Sequence, residues 1–155
     1  MKTRIIIGAL LGLFLFSTSI KAQVDKQAIK DAIMTMFDGM RAGDSAMVHS
    51  VFSDQVVFQR VQENSQGIAR VVSSDFSSFL KSIGTPHDQV WDERIEFGTI
   101  EFDGKMASVW TPFKFYRGDQ FSHCGVNVFK LYKSEEGWKI FHLVDTSRNE
   151  NCVGG

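Results

Sequence analysis

The sequence contains few of the residues that build metal or redox sites. It has two cysteines, Cys124 and Cys152, and no Cys-x-x-Cys or His-x-x-x-His spacing, so its thiols could not complete a structural zinc site without histidines. We expect no metal site and no cofactor. The 17 Lys and Arg residues nearly balance the 18 Asp and Glu residues and form no cluster suited to neutralising phosphates. A nucleic-acid partner is therefore not expected.

Long hydrophobic runs are also lacking, apart from one at the start of the chain. Lys2 and Arg4 precede an apolar run of about a dozen residues, and Ile20–Ala22 follows it with small residues, a pattern typical of a secretory signal peptide. A membrane anchor would need about 20 apolar residues. We expect residues 1–22 to be a signal peptide that is cleaved near Ala22, leaving a secreted or periplasmic protein with no membrane association.

Residues 23–155 have the length of one compact domain, and no repeat or linker divides them. Cleavage removes three basic residues and no acid, which changes the net charge from −1 to −4. Both cysteines would then meet an oxidising compartment, in which a Cys124–Cys152 disulfide persists. A nucleophilic free thiol would instead need a neighbouring base and a lowered pKa. The two alternatives remain open.

Three helices are predicted in the first half of this domain. Apolar residues recur at three- and four-residue steps over residues 24–40, which indicates a helix with one buried stripe. Asp44 is expected to cap a second helix, and Ser74 or Asp75 a third. Residues 55–73 are rich in Val and favour two short strands between the second and third helices.

The stretch Ile95–Thr146 predicts consecutive antiparallel hairpins. Asp103-Gly104, Gly118-Asp119 and Glu136-Gly137 mark the turns, because Asp and Gly tolerate the backbone angles that tight hairpins require. Two-residue loops in the first two hairpins would make both faces of the sheet apolar. Helices can cover only one face of such a sheet, so we expect a homodimer that buries the other.

On this register, the face expected to line a pocket carries ten apolar and four polar side chains. They are Trp91, Ile95, Phe97, Trp110, Phe121, Phe129, Leu131, Trp138, Ile140, Val144, Ser108, His123, Asn127 and His142. The face expected to form the dimer carries Ile100, Val109, Phe113, Phe115, Val126, Val128, Tyr132, Phe141 and Leu143. A slip of one residue would exchange the two faces.

The order helix, helix, strand, helix and antiparallel meander resembles the nuclear-transport-factor-two-like superfamily, with its SnoaL-like and ketosteroid-isomerase-like members. The resemblance covers Val24–Asn149 and is carried by Met36-Phe37, Gly43-Asp44, Asp103–Trp110 and Gly137–His142. It implies an α+β, cone-shaped cystatin-like fold in which three N-terminal helices pack on a strongly curved antiparallel sheet.

Two further segments point to one branch of that superfamily. His123-Cys124-Gly125 and Asp145–Arg148 are similar to a secreted bacterial branch described as putative lumazine-binding. This resemblance implies a cone cavity for a small, largely apolar or aromatic molecule, and binding of such a ligand is the first hypothesis. A non-catalytic interaction domain with a filled cavity is another hypothesis.

The superfamily's enzymes place acidic or histidine side chains in this cavity for proton transfer. A small lyase or isomerase is therefore the alternative, with His142 or His123 as general base. The expected ligand-binding residues are Trp110, Asn127, Ser108, Phe97 and Phe129, and Glu93 and Lys114 lie farther along the same predicted face.

Overall fold

The computed structural model describes the backbone of residues 4–153 and the side chains of residues 21–153. The side chains of the expected signal peptide lie outside this range except for its last two residues. The helices are α1 (Arg4–Ala42), α2 (Ser45–Ser50) and α3 (Phe76–Gly84). The strands are β1 (Phe52–Glu63), β2 (Ala69–Ser73), β3 (Trp91–Ile95), β4 (Ile100–Phe102), β5 (Met106–Arg117), β6 (Gln120–Ser134) and β7 (Gly137–Thr146). Within the described residues, no helix has the length and hydrophobicity needed to cross a membrane.

The two short helices begin at the aspartates that the sequence indicates. The Asp44 carboxylate accepts a hydrogen bond from the Met47 amide at 2.9 Å, and the Asp75 carboxylate accepts one from the Ser78 amide at 2.8 Å. Each cap satisfies an amide that has no partner within its helix. The predicted second and third helices are confirmed.

One curved sheet carries all seven strands. Its order is β2-β1-β7-β6-β5-β3, and β4 pairs with β5. All pairs are antiparallel except β1 with β7, which is parallel. The helices cover one face, where a core that includes Ile33, Phe37, Val109, Phe129 and Ile140 is fully or almost fully buried. The expected α+β fold class is confirmed. The parallel pairing of β1 with β7 was not predicted from the sequence.

Two β-bulges change which side chains share a face of the sheet. Tyr116 pairs with Phe121 but Phe115 pairs with His123, so that Ser122 has no partner. Between β6 and β7, Phe141 is bypassed in the same way. Beyond each extra residue, the side chains of the bulged strand point to the opposite face of the sheet relative to those of the paired strand.

The predicted face assignment is therefore wrong for β4, for β5 and for the second half of β7. The side chains that turn towards the helices instead are Val109, Phe113, Phe115 and Leu143, all buried, and Ile100, which pairs with Val109 and packs against the core. The side chains that turn away from the helices are Ser108, Trp110, Phe121, His142 and Val144.

A disulfide joins Cys124 in β6 to Cys152 near the end of the chain. Beside it, the Cys124 amide donates to the Arg148 carbonyl and the Arg148 amide donates to the Cys124 carbonyl, both at 2.8 Å. The next residue, Gly125, lies so close to β7 that an added Cβ would be 1.9 Å from the Thr146 carbonyl oxygen. The C-terminal segment is thus fastened tightly across β6.

Candidate functional site

A cavity of about 410 Å³ lies between the helices and the concave face of the sheet. Its volume is in the range of small-molecule sites, and side chains do not fill it. The apolar part of its wall consists of Met36, Met40, Phe58, Val72, Phe79, Trp91, Phe115 and Leu143. Such a wall suits a ligand with an apolar or aromatic body.

Glu93 and Asn127 form a hydrogen-bonded pair in the cavity wall. The Asn127 side-chain amide is buried and donates from Nδ2 to the Glu93 Oε1 at 2.7 Å. Burial, aided by the nearby Asp145 carboxylate, raises the pKa of Glu93 to about 7 against the opposing effects of Asn127 and Arg60. Desolvation favours the neutral form of a carboxyl group. Glu93 can therefore gain or lose a proton near neutral pH.

Arg60 and Asp145 form an ion pair beside that carboxyl group. They are directly opposite each other in the parallel β1–β7 pair. Arg60 Nε donates to Asp145 Oδ1 at 2.7 Å, and an Arg60 terminal nitrogen donates to Oδ2. This two-bond geometry is the strong form of a guanidinium–carboxylate contact. The Asp145 charge is thus balanced within the cavity wall.

His123 lies on the same wall, beside two phenylalanine rings of β5. Its ring centre is 4.9 Å from that of Phe115 and 5.8 Å from that of Phe113. Burial lowers the pKa of His123, and the Arg60 cation lowers it further. The neutral imidazole is therefore favoured at neutral pH.

The structure brings two of the sequence-predicted site residues, His123 and Asn127, into the cavity lining. Two others belong to the packing around it. Phe129 is fully buried with its ring edge-on to Phe37 at 6.1 Å, and Phe97 packs against the core with the Lys30 ammonium 5.1 Å from its ring.

The remaining predicted site residues lie on the outer face of the sheet. His142 Nε2 is 3.1 Å from Gln59 Oε1, Ser108 accepts a hydrogen bond from Lys130 at 2.9 Å, and Trp110 is 48% exposed. Their expected place in the pocket is wrong because the bulges at Ser122 and Phe141 reverse the register on which it depended.

Sequence reasoning missed the pairing of Arg60 with Asp145. The two residues are 85 positions apart and meet only because β1 joins β7 in parallel, which no local pattern indicates. Glu93 had a signal, since it alternates with Trp91 and Ile95 on one face of β3. Among residues 21–153, no group of three or more His, Cys, Asp or Glu side chains is arranged to hold a metal ion.

This geometry supports two kinds of chemistry. The apolar wall can exclude water from a small ligand, while the Glu93–Asn127 pair offers a hydrogen-bonding group that orients it. A carboxyl group whose pKa lies near 7 can also exchange a proton with a bound molecule.

Comparisons with known proteins agree with this fold. A family model described as "Putative lumazine-binding" matches residues 24–144. An NTF2-like protein with a cystatin-like fold from Novosphingobium aromaticivorans superposes with a TM-score of 0.69 at 10% identity, covering 84% of this chain and 86% of its own. A domain of unknown function with a cystatin-like fold from Nostoc punctiforme gives 0.63 at 18% identity, covering 83% and 80%.

An NTF2-like protein of unknown function from Shewanella baltica gives a TM-score of 0.60 at 16% identity, covering 81% of this chain and 94% of its own. At such identities the likeness concerns the fold alone. No curated protein matches the sequence.

Proposed function

Because the chain belongs to the putative lumazine-binding family, within the nuclear-transport-factor-two-like superfamily, we propose that it binds a small, largely apolar or aromatic molecule in the cone cavity. The observation that carries the proposal is the open cavity of about 410 Å³, whose largely apolar wall also carries the polar Glu93–Asn127 pair. Sites of this kind bury the body of a ligand and orient it with a few polar groups.

Lumazine, which the family description names, is the first probe, and isothermal titration calorimetry is the measurement. Ser74 is an exposed residue in the cavity lining, so Ser74→Trp is expected to obstruct the cavity and abolish binding. Ser65→Trp, in the exposed turn between β1 and β2, is the control and should bind normally. Equal binding by both variants would mean that the ligand lies outside the cavity.

Mass spectrometry of the natively purified protein extends this test to ligands other than lumazine. A small molecule that is carried through purification of the wild type and lost in Ser74→Trp would support the proposal. If neither lumazine nor a co-purifying molecule depends on the cavity, the proposed binding role is wrong.

A second candidate function, a small lyase or isomerase, is favoured by one specific observation. Glu93 has a pKa of about 7 and a fixed orientation from Asn127, which are the properties of a general acid or base. In this alternative Glu93 replaces His142 as the principal base, since His142 lies on the outer face. Any turnover found is expected to be lost in Glu93→Gln and retained in His142→Ala.

Export is part of the proposed role. It is supported by the basic start and apolar run of residues 1–22 and by the Cys124–Cys152 disulfide, since such bonds persist in oxidising compartments. N-terminal sequencing of the protein recovered from the periplasm or medium is expected to begin at Gln23. An intact N-terminus there would contradict cleavage near Ala22.

Self-association is the last part of the proposal. The outer face of the sheet, defined here by Val57, Met106, Trp110 and Tyr132, leaves these large apolar side chains more than a third exposed. Burying apolar area is the main favourable term in association. A second copy of this chain, docked through the same face, would cover them.

A further inference from the structure

Arg117 lies where the cavity meets the surface. Together with Trp91 it lines both the cavity and an adjoining surface depression formed with His87, Asp88 and Gln89. Arg117 is itself exposed, as the last residue of β5. Its guanidinium group is therefore at the mouth of the cavity.

The backbone under this guanidinium group is fixed on both sides. Arg117 pairs with Trp91 of β3 and with Gln120 of β6, and the following Gly118 amide donates to the Val90 carbonyl at 2.8 Å. The two-residue Gly118-Asp119 turn closes the hairpin, with Gly118 at φ +58°. A side chain on such a frame is presented at a defined place, which lowers the entropy cost of binding.

The charge of Arg117 is not balanced by a protein carboxylate. Arg41, Arg60 and Arg94 each form an ion pair with an aspartate. Among the residues whose side chains the structure describes, no carboxylate oxygen lies within 4.0 Å of the Arg117 nitrogens, and Asp88, on the same rim, forms no ion pair with it. The guanidinium group of Arg117 is thus open to a ligand.

The acids inside the cavity restrict where a negative charge can be placed. Asp145 is already balanced by Arg60, and Glu93 is two residues farther along β3 than Trp91, which pairs with Arg117. That separation corresponds to about 6–7 Å along a strand. Because Arg60 is engaged by Asp145, an anionic group would be favoured at the mouth rather than deeper in, beside Glu93.

We propose that the ligand is a monocarboxylate with an apolar or aromatic body, held with the body inside the cavity and the carboxylate at the mouth on Arg117. The planar guanidinium group matches a carboxylate with two parallel hydrogen bonds. This inference rests on the proposed ligand-binding function and specifies its ligand class.

The test compares 2-naphthoate with 2-naphthamide, which has nearly the same shape but no charge, by calorimetry at neutral pH. The wild type is expected to bind the acid roughly three- to tenfold more tightly than the amide, as one partly exposed charge pair allows. Arg117→Gln should abolish that preference by weakening the binding of the acid to about that of the amide. Arg70→Gln, on exposed β2 outside the cavity lining, is the matched control and should keep the preference.

Equal binding of acid and amide by the wild type would overturn the inference while leaving the binding role in place. A preference that persists in Arg117→Gln would also overturn it, because the carboxylate would then be held elsewhere. If lumazine binds in the cavity and neither 2-naphthoate nor 2-naphthamide does, the proposed ligand class is wrong. If no probe enters the cavity, the proposed function fails and the inference fails with it.

Discussion

The protonation of Glu93 ties the stability of the protein to pH. Its pKa is about 7 in the folded protein, against an ordinary value of 4.5. Between these values the folded state holds a proton that the unfolded chain releases. Stability therefore falls with rising pH in this window: the contribution of Glu93 is complete below about 4.5 and is lost as the pH rises through about 7.

Replacing Glu93 by Gln should remove this dependence. Because Gln stays neutral, Glu93→Gln is expected to gain about 1–3 kcal/mol of unfolding free energy relative to the wild type between about pH 5 and about pH 8. Urea denaturation of both proteins at several pH values measures this difference in unfolding free energy. Glu101→Gln, on the exposed centre of β4, should follow the wild-type curve. Parallel curves for wild type and Glu93→Gln would contradict the raised pKa.

The pKa of His123 offers an independent test of the burial and charges in the same cavity wall. Burial and the Arg60 cation hold its pKa below 6.5. Arg60→Gln removes the cation and leaves the Asp145 carboxylate, so the pKa of His123 is expected to rise in this variant. Titration of the histidine resonances by NMR tests this, with Arg70→Gln as control. A pKa of His123 at or above 6.5 in the wild type would contradict the lowering by burial and by Arg60.

Among the secondary-structure elements, those that depend on local chemistry were predictable. Helices α2 and α3 begin at aspartates whose side chains bind the first-turn amides, and the Gly118-Asp119 turn closes between Arg117 and Gln120 with two residues. The Asp103-Gly104 turn is at the expected place, but its loop is longer, because Phe102 pairs with Ala107. That difference of two residues leaves the relative faces of β4 and β5 unchanged, whereas β3 pairs with β5 one residue away from the predicted register, with Ile95 opposite Phe113.

The bulges were not predictable, because a bulge accommodates the curvature of the whole sheet rather than a preference of Ser122 or Phe141. Their effect on the candidate site is large. Asn127 and His123 lie in the cavity as expected, whereas Trp110 and His142 lie outside it. The place of Arg60 in the cavity wall could be predicted only from the β1–β7 pairing, which depends on the complete sheet.

The close contact of β6 with β7 leaves no room for a side chain at Gly125. A Cβ there would be 1.9 Å from the Thr146 carbonyl oxygen and 2.8 Å from the Phe113 ring, and a backbone oxygen inside a sheet has little freedom to move. Gly125→Ala is expected to lower the unfolding free energy by about 3 kcal/mol or more. Gly67→Ala, with φ +74° but open space, should cost only about 1 kcal/mol. Similar costs for the two would contradict the close approach.

The disulfide fastens the C-terminal segment to β6 across 28 residues. Restricting a loop of this length in the unfolded chain stabilises a protein by about 3 kcal/mol. Cys152→Ala should therefore lower the unfolding free energy by about that amount, as measured by urea denaturation. A reducing agent should destabilise the wild type similarly and leave Cys152→Ala unaffected. Insensitivity of the wild type to reduction would contradict a stabilising bond.

The proposed dimer predicts a molecular mass in solution of twice the chain mass. Trp110 is 48% exposed on the outer face, and Trp110→Glu would place a charge in the contact, so it should give a monomer. Light scattering coupled to gel filtration measures the mass. Ile68→Glu, at a somewhat more exposed position in the turn before β2, should remain dimeric. A monomeric wild type would refute the dimer.

The parallel pairing of β1 with β7 also governs how the chain can be assembled. Phe58 meets Leu143, and Arg60 meets Asp145, so one side of the cavity is absent until the last strand has been synthesised and docked. Contacts between such distant segments slow folding, and a chain that ends before β7 would leave β1 and β6 with bare edges that invite aggregation. Shortened forms of this protein should therefore precipitate rather than survive as smaller binding domains.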